Sequence, residues 1–154
     1  MKKLVLLSTF VVVSVLIGLG QANSESAAAP LSVAISSPVQ VRTGQHLEIR
    51  VKFTNISDHE LTFSTFYVEG TDITLHYDIR DSQGNLQERK DRDRDGSIKS
   101  VTLKPGQSEE EGTLVSQIFV MPPGEYTIQL SRDIPGESGG NVAKSNRIRV
   151  TVVP

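Results

Sequence analysis

The sequence of 154 residues contains no cysteine. Without a thiol, the chain forms no disulfide, carries no lipid on a cysteine and builds no zinc site from thiolates. The three histidines offer no substitute, because they lie 13 and 17 residues apart, which is not a spacing of metal ligands. Stability must therefore come from an apolar core, which a chain of this length can supply.

An excess of basic residues is also absent. Lysine and arginine number 16 against 18 acidic residues, for a formal net charge of −2. Such a balance gives no electrostatic footprint for nucleic acid. No glycine-rich loop follows a strand and opens a helix, as a phosphate-binding loop would. We therefore predict neither a nucleic-acid partner nor an organic cofactor.

The first 22 residues have the pattern of a secretory signal peptide. Lys2 and Lys3 precede an apolar run over residues 4–19, and Gly20-Gln21-Ala22 supplies small residues at the two positions that a signal peptidase reads, which predicts cleavage after Ala22. The alternative is an uncleaved membrane anchor, although the run is short for a spanning helix. Residues 23–30, NSESAAAP, are predicted to be a disordered linker. We expect a secreted or periplasmic protein with no membrane insertion after cleavage.

Residues 31–154 show the alternation of strands. In HLEIRVKFTN the apolar residues Leu47, Ile49, Val51 and Phe53 fall on one face and charged residues on the other. TLHYDIR, EYTIQLS and NRIRVTV repeat the pattern, and turn motifs with Gly or Pro separate the segments. Seven or eight short antiparallel strands predict an all-β, single immunoglobulin-like β-sandwich, with a small barrel as the alternative.

Three phrases resemble known domains. They are VKFTNISDHELTF at 51–63, the stretch 103–132 with its KPGQS and PPGEY turns, and KSNRIRVTV at 144–152. They resemble strand-and-turn phrases of bacterial secreted Ig-like domain proteins, and they are similar to those of BsuPI-type proteinase inhibitor domains. The resemblance implies the sandwich fold and leaves a proteinase-inhibitor-like module as an alternative function. No inhibitory loop can be matched residue by residue.

The stretch DRDRDGSI, residues 91–98, begins like a calcium loop of the EF-hand kind. Gly96 stands where the sharp turn is required, but Thr102 stands where a bidentate glutamate belongs. The flanks are strand-like, and water or a distant carboxylate such as Glu109, Glu110 or Glu111 would complete the shell. The alternatives are weak calcium binding near 0.1–1 mM and a charged hairpin without metal. The candidate ligands are Asp91, Asp93, Asp95 and Ser97.

Catalysis has one remote candidate. GESGG at 136–140 satisfies the pattern around a hydrolase serine, Ser138, but no histidine follows it in the sequence. The other interpretation is a glycine-rich loop between the last strands. We therefore expect no enzyme, with a small serine hydrolase as the remote alternative.

Two loops at the ends of the predicted sandwich are candidates for binding. FYVEGTD at 66–72 offers aromatic residues, which favour contact surfaces, although the interpretation that they finish a core strand is preferred. The second loop is 133–146. The predicted function is a secreted binding or structural module that recognises an unknown protein or cell-surface polymer. The candidate contact residues are Phe66, Tyr67, Glu137 and Asn141.

Overall fold

The chain forms strands along most of residues 29–90, 95–134 and 142–154, which a computed structural model describes. Eight strands have six residues or more: β1 Leu31–Ser36, β3 Glu48–Asn55, β4 Leu61–Val68, β6 His76–Asp81, β7 Ser97–Leu103, β8 Ser108–Leu114, β9 Gly124–Asp133 and β11 Ile148–Val153. Three are shorter: β2 Gln40–Arg42, β5 Thr71–Asp72 and β10 Val142–Lys144. One helical turn, α1, covers Val115–Ile118.

The strands form three sheets. The first has the order β1-β3-β8 and the third the order β5-β4-β7. In the second, β9 is central, with β6 on one side and β10, β11 and then β2 on the other. The prediction of an all-β, immunoglobulin-like sandwich is confirmed. The long strands pair antiparallel as predicted, whereas the short β2 pairs in parallel with β11.

The buried core contains the residues that the alternating sequence pattern predicts. Leu47, Ile49, Val51 and Phe53 are each at most 1% exposed, so the predicted face of β3 is confirmed. The Phe53 ring meets the Phe63 ring of β4 edge-on at 5.3 Å between centroids. Such contacts add to the stability that comes from burying apolar area.

The PPGEY turn ends in a tyrosine with a structural role. Tyr126 is buried at the start of β9, and its hydroxyl donates to the carbonyl oxygen of Pro122 at 2.7 Å. A ring in the core and a hydroxyl bonded to backbone just upstream are the marks of a tyrosine corner. The interaction fixes the entry of the central strand.

One predicted strand is partly helical. TLVSQIFV was expected to be a weak strand, but β8 ends at Leu114 and α1 follows. Val115, Ile118 and Phe119 are all buried. Their spacing of three and four residues places them on one side of a helical turn, whereas alternation would place only some of them inward.

The N-terminal predictions fall mostly outside the described residues, which begin at Ala29. Pro30, in the predicted linker, accepts a hydrogen bond from the backbone of Ile56 at 2.9 Å. The order of the domain thus reaches two residues into the linker range. In the described part of the chain, no helix has the length and apolarity needed to cross a membrane.

Candidate functional site

A polar groove lies on the outer face of the second sheet. Its floor is β9, because Glu125, Thr127 and Gln129 alternate with the buried residues of that strand and point away from the core. Its walls are β6 and β11. The groove has a volume of about 680 Å³, within the range of ligand sites in proteins.

The strand register arranges the groove in rows. Thr127 stands between Arg80 of β6 and Arg149 of β11, its direct partners on the two sides. One row along, Gln129 lies opposite Asp78, and its side-chain oxygen accepts a hydrogen bond from Arg147 at 3.3 Å. At the centre of the floor, Thr127 is short and Gln129 is planar. The walls carry longer charged side chains, so the centre of the face is open.

A turn after β6 closes one end of the groove. The carboxylate of Asp81 accepts hydrogen bonds from the backbone nitrogens of Gln83 and Asn85 and from the Asn85 side chain, all at 2.9–3.0 Å. The Asn85 side chain, followed by these backbone donors, lowers the pKa of Asp81 below its ordinary value. The turn is therefore held by an ionised carboxylate that already has several donors.

The three arginines of the groove differ in their partners. Arg80 donates to Asp78 at 2.7 Å and to the carbonyl of Gly84 at 3.0 Å. Arg147 makes the single contact with Gln129 described above. Arg149 is exposed and makes no hydrogen bond or ion pair within the part of the chain that the structure describes. Free guanidinium donors thus lie along the β11 wall.

A second polar group lies where β9 meets β4 and β5. We call it the buried junction: Arg132 and Asp72 are buried, Thr74 is half-buried, and the exposed Ser64 contributes its backbone carbonyl. Arg132 of β9 donates to the Asp72 carboxylate at 3.4 Å, to the Thr74 hydroxyl at 2.7 Å and to the Ser64 carbonyl. Asp72 also accepts from the Thr74 backbone at 2.9 Å. The pair joins β9 to β4 and β5.

The surroundings of Arg132 are apolar as well as polar. Its guanidinium lies over the rings of Phe53 and Phe63, 5.6 and 4.6 Å from their centroids. Burial lowers the pKa of Arg132, while the charge of Asp72 acts in the opposite direction. Because Arg132 and Asp72 are 4% and 1% exposed, a ligand in solvent has no access to them, and we assign the junction a structural role.

Acidic residues continue this polar zone along β8. Glu109 and Glu111 stand opposite Phe53 and Val51 and therefore share the inner face. Lys99 of β7 bonds both carboxylates, at 3.0 and 2.5 Å, and the Tyr67 hydroxyl donates to Glu111. Burial, and next the Glu111 carboxylate, raise the pKa of Tyr67 above its ordinary value. These charged side chains therefore already have partners within the protein.

The candidate calcium loop is only partly described, since Asp91 and Asp93 lie outside the described residues. Asp95 is exposed, and Ser97 begins β7. Glu109 and Glu111, which were to complete the shell, bond Lys99 instead, and Glu110 lies 3.5 Å from Arg50. Over the described ranges, no group of three or more His, Cys, Asp or Glu side chains could hold a metal ion. Calcium binding stays a prediction.

Gly96 has a structural reason that is independent of calcium. A Cβ at this position would collide with the backbone oxygen of Tyr67 and lie 2.9 Å from the Phe66 ring. Only a residue without a side chain lets the chain pass this close to β4. The glycine of the motif therefore has a packing role of its own.

Of the four predicted contact residues, the structure describes Phe66 and Tyr67. Phe66 and Tyr67 lie within β4, half-buried, rather than in a loop. Glu137, Asn141 and the candidate nucleophile Ser138 lie outside the described residues. The rings of the three histidines contact other side chains: His46 contacts Gln117, His59 contacts Asp58, and His76 contacts Asp133.

Sequence reasoning missed both the groove and the buried junction. A signal for the junction was present, because Arg132 falls on the inward phase that Tyr126, Ile128 and Leu130 establish. For the groove, the outward residues of three strands had to be placed side by side. The strand pairing supplies that arrangement, and no single segment of sequence contains it.

Comparison with known proteins gives matches to solved structures only. No protein-family model matches the chain, and no curated protein does. The CARDB domain of a Pyrococcus furiosus protein, solved in complex with di-metal ions, is 20% identical over 80% of this chain and 92% of that domain, with a TM-score of 0.43. A Listeria innocua β-glucosidase in complex with isofagomine is 16% identical over 80% of this chain and 16% of the enzyme, also with a TM-score of 0.43. The similarity to BsuPI-type inhibitors is not shown and stays a prediction.

Proposed function

We propose that the chain is a non-catalytic binding module that acts outside the cytoplasm and contacts a protein or cell-surface polymer through the groove. The observation that carries the proposal is the groove itself, a face of about 680 Å³ lined by hydrogen-bonding side chains on a rigid sheet. Binding sites on strands are held more precisely than sites on loops. The groove therefore replaces the loops at the sandwich ends as the proposed contact surface.

The groove offers hydrogen-bonding groups, and no histidine is among the residues that line it. Thr151 stands opposite Glu125 in the register of β9 and β11, but the histidine that commonly acts as general base is missing from the lining. Hydrogen-bond donors and acceptors on a sheet fit reversible binding, which requires complementarity and no activated group.

Filling the groove tests this proposal. Thr127→Trp places a large ring at the centre of the floor, and Thr54→Trp places the same ring at an outward, half-buried position of β3 on another sheet. Arrays of extracellular glycans and of envelope proteins are probed with both variants and the parent chain. We expect a ligand that Thr127→Trp loses and Thr54→Trp retains, with both variants melting near the parent. If no array component distinguishes the two variants, the proposal is wrong.

Export is tested separately. The signal pattern implies that a chain expressed with its first 22 residues appears outside the cytoplasm with Asn23 as its new N-terminus. N-terminal sequencing of exported material checks this result. Intact Met1 in a membrane fraction would favour the anchor instead.

A further inference from the structure

We infer that the groove takes a glycan that carries carboxylate or sulfate groups. The inference rests on the proposed function and names the ligand class for the same face. It follows from which charged side chains of the groove have protein partners among the described residues and which have none, because the two walls differ in this respect.

The β11 wall presents guanidinium groups that have few protein partners in the described part of the chain. Arg149 lies on β11 and Arg147 directly precedes that strand, and both are exposed and line the groove. Arg149 has no partner among the described residues, and Arg147 has only the neutral Gln129. Guanidinium groups bind carboxylate and sulfate-like oxygens in bidentate fashion. This wall therefore favours an anionic group on the ligand.

The rest of the groove favours a ligand with uncharged hydrogen-bond donors. Asp78 and Asp81 line the β6 side, and Glu125 lies on the floor. Asp78 is bonded to Arg80 and Asp81 to donors of its own turn, but a carboxylate has further lone pairs that accept hydrogen bonds, and all three carboxylates repel a second anion. The hydroxyls of a sugar donate to carboxylates without carrying charge. A ligand with anionic groups toward β11 and hydroxyls toward β6 satisfies both sides, which a purely acidic peptide does not.

The groove also lacks an anchor for a protein partner. Of the apolar residues that line it, Val39 is 79% exposed, while Tyr126 and Val150 are buried. Protein interfaces depend on aromatic or aliphatic residues that fill desolvated pockets. The lining here is instead a set of planar polar groups and short hydroxyls, which suits a chain rich in hydroxyl groups.

The test measures binding of the full chain to matched polymers by calorimetry. Polygalacturonate and dextran sulfate supply the carboxylate and the sulfate, dextran is the neutral control, and polyglutamate is the acidic peptide. We expect binding to at least one anionic glycan that weakens with salt and exceeds binding to dextran and polyglutamate. The stronger of the two glycans identifies the anionic group.

Variants locate the binding in the groove. Arg149→Gln and Arg147→Gln are each expected to weaken binding by about tenfold, as for a lost hydrogen bond between charged groups. Arg50→Gln removes the same charge from β3, where Arg50 is exposed beside Glu110, and is expected to leave affinity nearly unchanged. An equal loss in Arg50→Gln would show general electrostatic attraction and overturn the inference.

Other outcomes separate this inference from the proposed function. If polyglutamate binds as tightly as the glycans, the ligand class is an acidic peptide and the inference is wrong. If only neutral glycans bind, and Thr127→Trp abolishes that binding, the groove remains the binding face and the anionic ligand is wrong. If neither anionic glycan binds at millimolar concentration, the inference fails, whereas the proposed function fails only when no ligand depends on Thr127.

Discussion

Two regions of the molecule gather arginine and carboxylate side chains, and they differ in what the arginines contact. At the buried junction, Arg132 is 4% exposed and directs its guanidinium to Asp72, Thr74 and Ser64. In the groove, Arg149 is exposed and has no protein partner among the described residues. A charge removed from water must be matched by the fold, whereas an exposed charge keeps water until a ligand replaces it. Arg132 therefore serves stability, and Arg149 is available for binding.

The largest effect is expected from a substitution that breaks the buried junction. Arg132→Met leaves the Asp72 carboxylate buried without its cation, so we expect a loss of about 3–5 kcal/mol in the free energy of unfolding. Arg149→Met is the matched control and should change that free energy by less than about 0.5 kcal/mol. Urea denaturation measures both. Equal losses of unfolding free energy in the two variants would contradict the assignment of stability to Arg132 and of binding to Arg149.

A smaller effect is expected beside the junction, at Gly96. Gly96→Ala forces a methyl group against the Tyr67 backbone and the Phe66 ring, so it should destabilise the fold by about 1–3 kcal/mol. Gly124→Ala is the control, because a Cβ there meets its nearest atoms only at 3.9 Å. The loss at Gly96 should be the same in chelator and in calcium. A loss seen only in calcium would mean that the glycine serves a metal loop.

Beneath the floor of the groove lies a polar group that stabilises the fold. The Tyr126 hydroxyl donates to Pro122, and its removal in Tyr126→Phe should cost about 0.5–1.5 kcal/mol of stability. Thermal melting of this variant beside Arg149→Gln compares a buried polar group that has a protein partner with an exposed one that has none among the described residues, on neighbouring strands of one sheet. A Tyr126→Phe protein as stable as its parent would show that the tyrosine corner contributes only packing.

The smallest effect is expected from calcium. Only Asp95 and Ser97 of the candidate loop are described, and the nearby glutamates bond Lys99 or Arg50. Melting in 10 mM calcium should raise the midpoint by at most a few degrees over chelator, as linkage predicts for a dissociation constant near 1 mM. Magnesium and an Asp95→Asn variant are the controls. A rise already at micromolar calcium would show a real calcium site.

The β-sandwich could be predicted from the sequence because alternation is a local property. The inward faces of β3, β6 and β9 follow from single segments such as HLEIRVKFTN. The prediction was wrong where the local pattern was ambiguous, as at Val115–Ile118, which forms a helical turn. A short apolar run without clear periodicity does not distinguish a strand from a buried turn of helix.

The candidate sites were harder to predict because they depend on pairing between strands. Arg80, Thr127 and Arg149 are far apart in the chain and become neighbours only through the register of β6, β9 and β11. Motif reasoning led instead to DRDRDGSI and GESGG, whose residues are close in sequence. For Gly96, at least, the motif residue has a packing role that no spacing rule contains.

The most direct test of the central claim maps ligand contacts on the protein itself. Backbone amide signals are followed by NMR while the bound polymer from the glycan experiment is titrated into the full chain. The account predicts that the largest shifts fall on β6, β9 and β11, around Arg80, Thr127 and Arg149, with little change at the buried junction. Shifts that instead concentrate at Phe66 and Tyr67, or in residues 133–146, would place binding at the ends of the sandwich and contradict the groove.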